Sequence, residues 1–207
     1  MSQGNNSRID TVFFDIGNVL LNFDFAHGAR KLSKMSGVRE AELTWMVGAT
    51  VERTGYECGR CSTDEFIQII FKQLRIRVSR DEFREIWSDI FIENAEMIAL
   101  ARSLRGVKKR HLLSNTNELH AEFFTEKYPI IREIEGHTYS YREKTGKPDP
   151  KFYHIALDRA GADAVHSLFI DDREENVVAA RQVGMKAVHY ADKTKAMKEI
   201  KQCLHLD

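Results

Sequence analysis

Five polar residues stand where buried-looking apolar runs stop, and a sixth precedes a proline turn. Asp15 follows Thr11-Val12-Phe13-Phe14, and Ser114 and Asn115 follow His111-Leu112-Leu113. Asp171 and Asp172 follow Ser167-Leu168-Phe169-Ile170, and Lys147 precedes Pro148-Asp149-Pro150. Three carboxylates gathered in one crevice repel each other unless a cation offsets them, which favours a hard ion such as Mg2+ held by few protein oxygens. A lysine beside them can hold a phosphoryl group as a point charge. The Ser114 hydroxyl and the Asn115 backbone N–H can donate to the same oxyanion. Asp15 is then free to attack phosphorus, with the cation, Lys147 and the donors stabilising charge on the equatorial oxygens.

These residues lie 99, 33 and 25 positions apart (15 to 114, 114 to 147, 147 to 172), so only a particular fold can join them. Short β-branched and aromatic runs at 11–14, 111–113, 136–141, 167–170 and 186–189 read as strands. Helical patterns follow at 117–127, 151–160, around 177–183 and in the tail 193–205. Such alternation implies right-handed crossovers and a doubly wound parallel α/β sheet, with its ligand crevice beyond the carboxyl ends of the strands. Between about Phe25 and Leu104 the pattern is helical almost throughout. Phe66, Ile69, Ile70 and Leu74, then Phe83, Ile86, Trp87 and Ile90, fall at helical spacing. Ser62 with Glu65, and Ser79 with Glu82, read as capping boxes, and Gly37 and Gly55 as helix breaks. An insertion of this size is a separate helical lobe rather than a loop.

Composition narrows the class. The 207 residues hold 31 Lys plus Arg against 31 Asp plus Glu, a formal net charge of zero. That balance speaks against nucleic acid and against an anionic membrane surface as partners. With 43% hydrophobic residues and 12 Phe the chain can fill a sizeable core. Three cysteines cannot all pair, the segment Met1–Arg8 is polar, and no apolar run reaches membrane-spanning length, so a cytoplasmic setting is expected. The oligomeric state stays open and is compatible with a monomer.

Taken together and in order, Phe14-Asp15-Ile16-Gly17-Asn18-Val19-Leu20, Leu113-Ser114-Asn115-Thr116, Gly146-Lys147-Pro148 and Phe169-Ile170-Asp171-Asp172 resemble the four motifs of the haloacid dehalogenase (HAD) superfamily. The resemblance implies an α/β catalytic core over 1–21 and 105–207, with an inserted helical cap over 22–104. It implies Asp15 as nucleophile and metal ligand, Gly17 offering its carbonyl and Asp172 its carboxylate to Mg2+. Ser114 and Asn115 would bind the phosphoryl group, Lys147 would pair with it and with Asp15, and Asp171 would orient Lys147 or a bound water. The stretches Ser114–His120 and Asp171–Asn176 are similar to the bacterial branch that contains α-D-glucose-1-phosphate phosphatases. The implied activity is Mg2+-dependent hydrolysis of a small phosphomonoester, a sugar phosphate, through an aspartyl-phosphate.

One position departs from the pattern. Most phosphatases of the superfamily carry a second Asp two residues after the nucleophile, which protonates the leaving oxygen; here it is Gly17. Either another group supplies the proton (Asp24 and His27 lie nearest in sequence), or the leaving group hardly needs one, or the protein is catalytically weak. Alkyl phosphates would then be the poorest substrates. Two rival functions stay open: a metal-independent 2-haloacid dehalogenase using the same Asp15, and a non-catalytic ligand-binding protein on the same fold. Cys58 and Cys61 have the spacing of a metal or redox half-site but lack a second pair. The aromatics Trp45, Phe66, Phe83, Trp87 and Phe91 read as cap core, and His120 as an exposed histidine in the first turn of its helix.

Overall fold

In the computed structural model, which describes residues 8–206 apart from the His27 side chain, a five-stranded parallel sheet runs β5-β4-β1-β6-β7. Its strands are β1 (Thr11–Phe14), β4 (Lys109–Ser114), β5 (Gly136–Tyr139), β6 (Ser167–Asp171) and β7 (Lys186–His189). The polar segment before Arg8 lies outside the described residues.

Both faces of the sheet are apolar, as in a strand that alternates between two covered faces. Val12, Phe14, Leu112, Leu168 and Ile170 pack on one side with helices α5 (Ala95–Ser103), α6 (Glu118–Lys127), α7 (Pro129–Glu133) and α11 (Lys193–Leu204). Phe13, Leu113 and Phe169 pack on the other, against α9 (Pro150–Ala160) and α10 (Glu174–Gln182). The parallel register pairs Phe14 with Leu112 and Ile170, Ser114 with Tyr139, and Asp171 with His189, so the strand ends share one edge. The expected doubly wound architecture is what the chain adopts.

Helices α1 (Phe25–Ser36), α2 (Glu40–Thr54), α3 (Thr63–Leu74) and α4 (Arg80–Ser88) build a third apolar cluster around Leu43, Phe66, Ile70, Phe83 and Ile86, into which Leu119 of α6 also reaches. The Ser62–Glu65 capping box forms in full, whereas Ser79 accepts from the Glu82 N–H at 3.1 Å. Gly37 and Gly55 end α1 and α2 at φ of 73° and 63°, left-handed values that glycine adopts without strain.

The insertion is not helical throughout. β2 (Leu21–Phe23) and β3 (Phe91–Glu93) form an antiparallel ribbon, so Phe91 sits in a strand rather than a helix. Trp45 is 74% exposed and outside the core it was expected to join. The edge strand β5 is shorter than the expected 136–141, because a helical turn α8 (Ser140–Glu143) begins at Ser140.

Candidate active site

The strand ends bring Asp15, Ser114, Lys147, Asp171 and Asp172 to one place, with Lys147 at its centre. Lys147 Nζ lies 2.8 Å from Asp15 Oδ1 and 2.6 Å from Asp171 Oδ2, and stands 5.3 Å from the centre of the Phe169 ring. Burial opposes a charge there, yet the two carboxylates outweigh it and hold the ammonium above its usual range. Asp15 moves upward too: burial raises it, Lys147 counteracts, and Asp171 raises it further.

Asp171 is committed within the protein. Its Oδ1 accepts from the Arg173 N–H and the Asn176 amide, both at 2.9 Å, and its Oδ2 faces Lys147. Both of its oxygens are thus occupied within the protein. Asp172 is different, since Asn18 donates at 2.8 Å to Oδ2 alone. Ligand atoms of Asp15, Asp171 and Asp172 fall within 4.8 Å of one another. Three carboxylates against one lysine leave excess negative charge, and the oxygens not already bonded are hard donors. The donor set fits a divalent cation such as Mg2+.

The loop after β4 is locked to the lysine loop by one side chain. Asn115 donates through Nδ2 to the Lys147 carbonyl and accepts from the Lys147 N–H through Oδ1, both at 2.8 Å. A Cβ at Gly146 would lie 2.7 Å from that Oδ1, so glycine is needed for the clamp to close. The Asn115 side chain is thereby occupied, and only its backbone N–H is left to meet an anion. Ser114 is buried beside it.

Above these groups opens a chamber of about 690 Å3, shared by the strand ends and the inserted helices. Apart from the polar floor, its wall is mostly apolar, with Phe23, Phe25, Val47, Val51, Trp87 and Phe91 among its residues. Phe23 covers Gly17 so closely that a Cβ there would lie 2.5 Å from the ring. No side chain can project from position 17 while that ring stays in place.

Of the two sequence neighbours proposed for the missing proton donor, Asp24 does not line the chamber. Asp24 is exposed and caps α1, accepting from the Ala26 N–H at 3.0 Å, and the His27 side chain lies outside the described residues. His120 is buried, contrary to expectation, because it stacks on Trp87 (18° between planes) and meets Phe91 edge-on. It also lines the chamber. Burial depresses it to about 4, so it is neutral, and its Nδ1 lies 3.1 Å from the Asn117 amide.

Sequence reasoning did not nominate Glu57. It sits in a single 3-10 turn, Tyr56–Cys58, half-buried on the chamber wall. Its only sequence signal is the pair of glycines, Gly55 and Gly59, that flank it.

Comparison with known proteins adds the lineage. A family model described as haloacid dehalogenase-like hydrolase matches residues 9–184. A sesquiterpene phosphatase of Aspergillus oryzae is 26% identical over 192 residues, spanning 91% of this chain and 93% of its own. A HAD-family enzyme of Bacteroides thetaiotaomicron shares the fold with a TM-score of 0.79 at 24% identity, covering 88% of this chain and 94% of that one. The same enzyme has also been solved with magnesium and inorganic phosphate. A HAD-like hydrolase of Porphyromonas gingivalis shares the fold at TM-score 0.79 and 20% identity, over 94% of this chain and 98% of that one.

Proposed function

Because the chain belongs to the haloacid dehalogenase-like hydrolases, we propose that it is a phosphatase in which Asp15 attacks a phosphomonoester and forms an aspartyl-phosphate that water then hydrolyses. The observation that carries this reading is Lys147 Nζ held between Asp15 Oδ1 and Asp171 Oδ2 at the floor of the chamber. A buried lysine fixed there pairs with the phosphoryl oxygens while leaving Asp15 aligned behind phosphorus. Ser114 and the Asn115 N–H donate to the same oxygens. Asp15, Asp172 and the Gly17 carbonyl would hold Mg2+, whose charge lets a dianionic ester approach three carboxylates. Asp171 keeps Lys147 protonated and aimed.

The alcohol part is narrower than a sugar phosphate would suggest. A hexose brings hydroxyls that need partners when buried, and the upper chamber offers chiefly Phe, Val, Ile and Trp side chains. That wall suits a phosphate ester of an apolar alcohol, in keeping with the name of the Aspergillus relative, and this reading reverses the expectation that alkyl phosphates are the poorest substrates. The glucose-1-phosphate branch suggested by Ser114–His120 and Asp171–Asn176 is therefore the less favoured substrate reading.

Asp15→Asn should lower turnover of a phosphate ester by at least 10^3-fold while the protein stays folded. Chelation of Mg2+ should silence the wild type, and readdition should restore it. Activity that survives chelator and releases halide from a 2-haloacid would instead establish the dehalogenase alternative. Ligand binding without turnover on any ester would establish the non-catalytic one.

A further inference from the structure

An apolar alcohol is a poor leaving group, because its alkoxide is strongly basic unless a proton arrives as the P–O bond breaks. Position 17 cannot deliver it: glycine has no side chain, and Phe23 occupies the space above. The proton must come from elsewhere on the chamber wall.

The segment carrying Glu57 is built to hold one group over the floor. The Gly55 carbonyl accepts from the Cys58 and Arg60 N–H groups at 2.9 and 3.1 Å, and the Tyr56 carbonyl from Gly59 at 3.0 Å, closing a tight turn. Gly59 presses on the core so closely that a Cβ would lie 2.1 Å from the Tyr141 carbonyl oxygen, at a φ of 60°. Ser140 Oγ donates to the Glu57 carbonyl at 2.5 Å and accepts from the Thr116 N–H at 2.9 Å. One hydroxyl thus ties the Glu57 backbone to the loop that bears Ser114 and Asn115. On the other side Tyr56 stacks on Phe66 (10° between planes) and shares a 3.0 Å hydrogen bond with Thr63.

The Glu57 carboxyl itself has no hydrogen bond or ion pair among the described residues, although it faces the chamber that contains Asp15 and Lys147. Burial pushes it upward; the positive charges of Arg173 and Lys147, from the loops after β6 and α8, counteract this without reversing it. An unpartnered carboxyl on the wall of a phosphoryl site, its proton affinity raised by burial, is the arrangement a general acid requires.

We propose that Glu57 is the catalytic acid and base that replaces the side chain missing at Gly17. The proposal rests on the phosphatase reading above. As Asp15 bonds to phosphorus, the ester P–O bond breaks and the Glu57 proton passes to the departing oxygen, releasing a neutral alcohol. The Glu57 carboxylate then takes a proton from water as that water's oxygen attacks the aspartyl-phosphate. The P–O bond to Asp15 breaks, phosphate leaves, and both carboxyl groups return to their starting states.

The test compares two esters with Mg2+ present: octyl phosphate, whose alkoxide needs the proton, and p-nitrophenyl phosphate, whose phenolate does not. Glu57→Gln should reduce kcat/KM for octyl phosphate by roughly 10^2-fold or more and for p-nitrophenyl phosphate by less than tenfold. Its p-nitrophenol release should begin with a burst, because the second half-reaction now lacks its base. The decline of wild-type kcat/KM on octyl phosphate at high pH should vanish in the variant, and Glu57→Asp should recover part of the octyl rate. Equal loss on both esters, or no loss on either, would overturn the assignment while wild-type turnover still upheld the phosphatase reading. A wild type inert towards both esters would remove that reading and this one with it.

Discussion

At position 17 even a methyl group would collide with a neighbouring ring. The Phe23 ring lies where any side chain of residue 17 would begin, and that ring is 37% exposed, so it can swing aside at a cost. Gly17→Ala should therefore destabilise the protein by about 1–2 kcal/mol through overpacking. Most of that cost should disappear when Phe23→Ala is present, giving a non-additive cycle in thermal denaturation of the four proteins; additive costs would show that Phe23 is not the obstacle. At this scale the sequence discloses residues whose type is rare at the end of a buried run. Asp15, Ser114, Lys147 and Asp172 could be read because each interrupts an apolar strand or precedes a rigid proline turn. Glu57 could not, since a glutamate between two glycines looks like any solvated turn. Only the contacts of Ser140 and Gly59 reveal what it faces.

Elements were legible in proportion to their length and the strength of their apolar signal. β1 and β6 stand out because both of their faces are buried. The start of β4 was hidden by Lys109 and Arg110, polar residues that the fold satisfies internally. Arg110 is 1% exposed, donates to the carbonyls of Ala101 at 2.9 Å and Glu133 at 2.6 Å, and pairs with Glu135. The β2–β3 ribbon has only three residues per strand, too few for a period to show. Buried histidines in these elements also shape the pH response. His111 lies 2.7 Å from Thr138 Oγ1, and burial, with the nearby His137 and Arg159, depresses it to about 4. The unfolded chain takes up this proton near pH 6.5, whereas the folded one resists until about pH 4. Between those values the unfolded state binds more protons, so stability falls as the solution is acidified. A shift of this size corresponds to at most about 3 kcal/mol. Urea unfolding at pH 7, 6, 5 and 4 should show the advantage of wild type over His111→Gln narrowing across that window. A constant difference would mean that His111 does not titrate between the two states.

Taken over the whole molecule, the neutral charge sum hides a division of labour between a charged floor and an apolar vault. The floor concentrates Asp15, Asp171 and Asp172 around one lysine, and the vault has space for a hydrocarbon group of considerable size. The sequence showed the floor because its motifs are contiguous. It hid the vault because Phe23, Val47, Trp87 and Phe91 come from four separate elements and look like ordinary packing residues in each. A substrate that uses both should gain with every methylene it buries, at about 0.8 kcal/mol each, or roughly fourfold in kcat/KM. For n-alkyl phosphates from butyl to dodecyl, all small enough for a chamber of about 690 Å3, kcat/KM should therefore climb steeply with chain length. Glucose 1-phosphate and glucose 6-phosphate should fall well below the longer alkyl esters, because their hydroxyls would lose water without finding partners on that wall. Steady-state kinetics with Mg2+ across this series decides the matter: a flat alkyl profile, or hexose phosphates ahead of decyl phosphate, would mean that the apolar wall does not contact the leaving alcohol and that specificity resides in the polar rim around Thr44, Glu52 and Arg60.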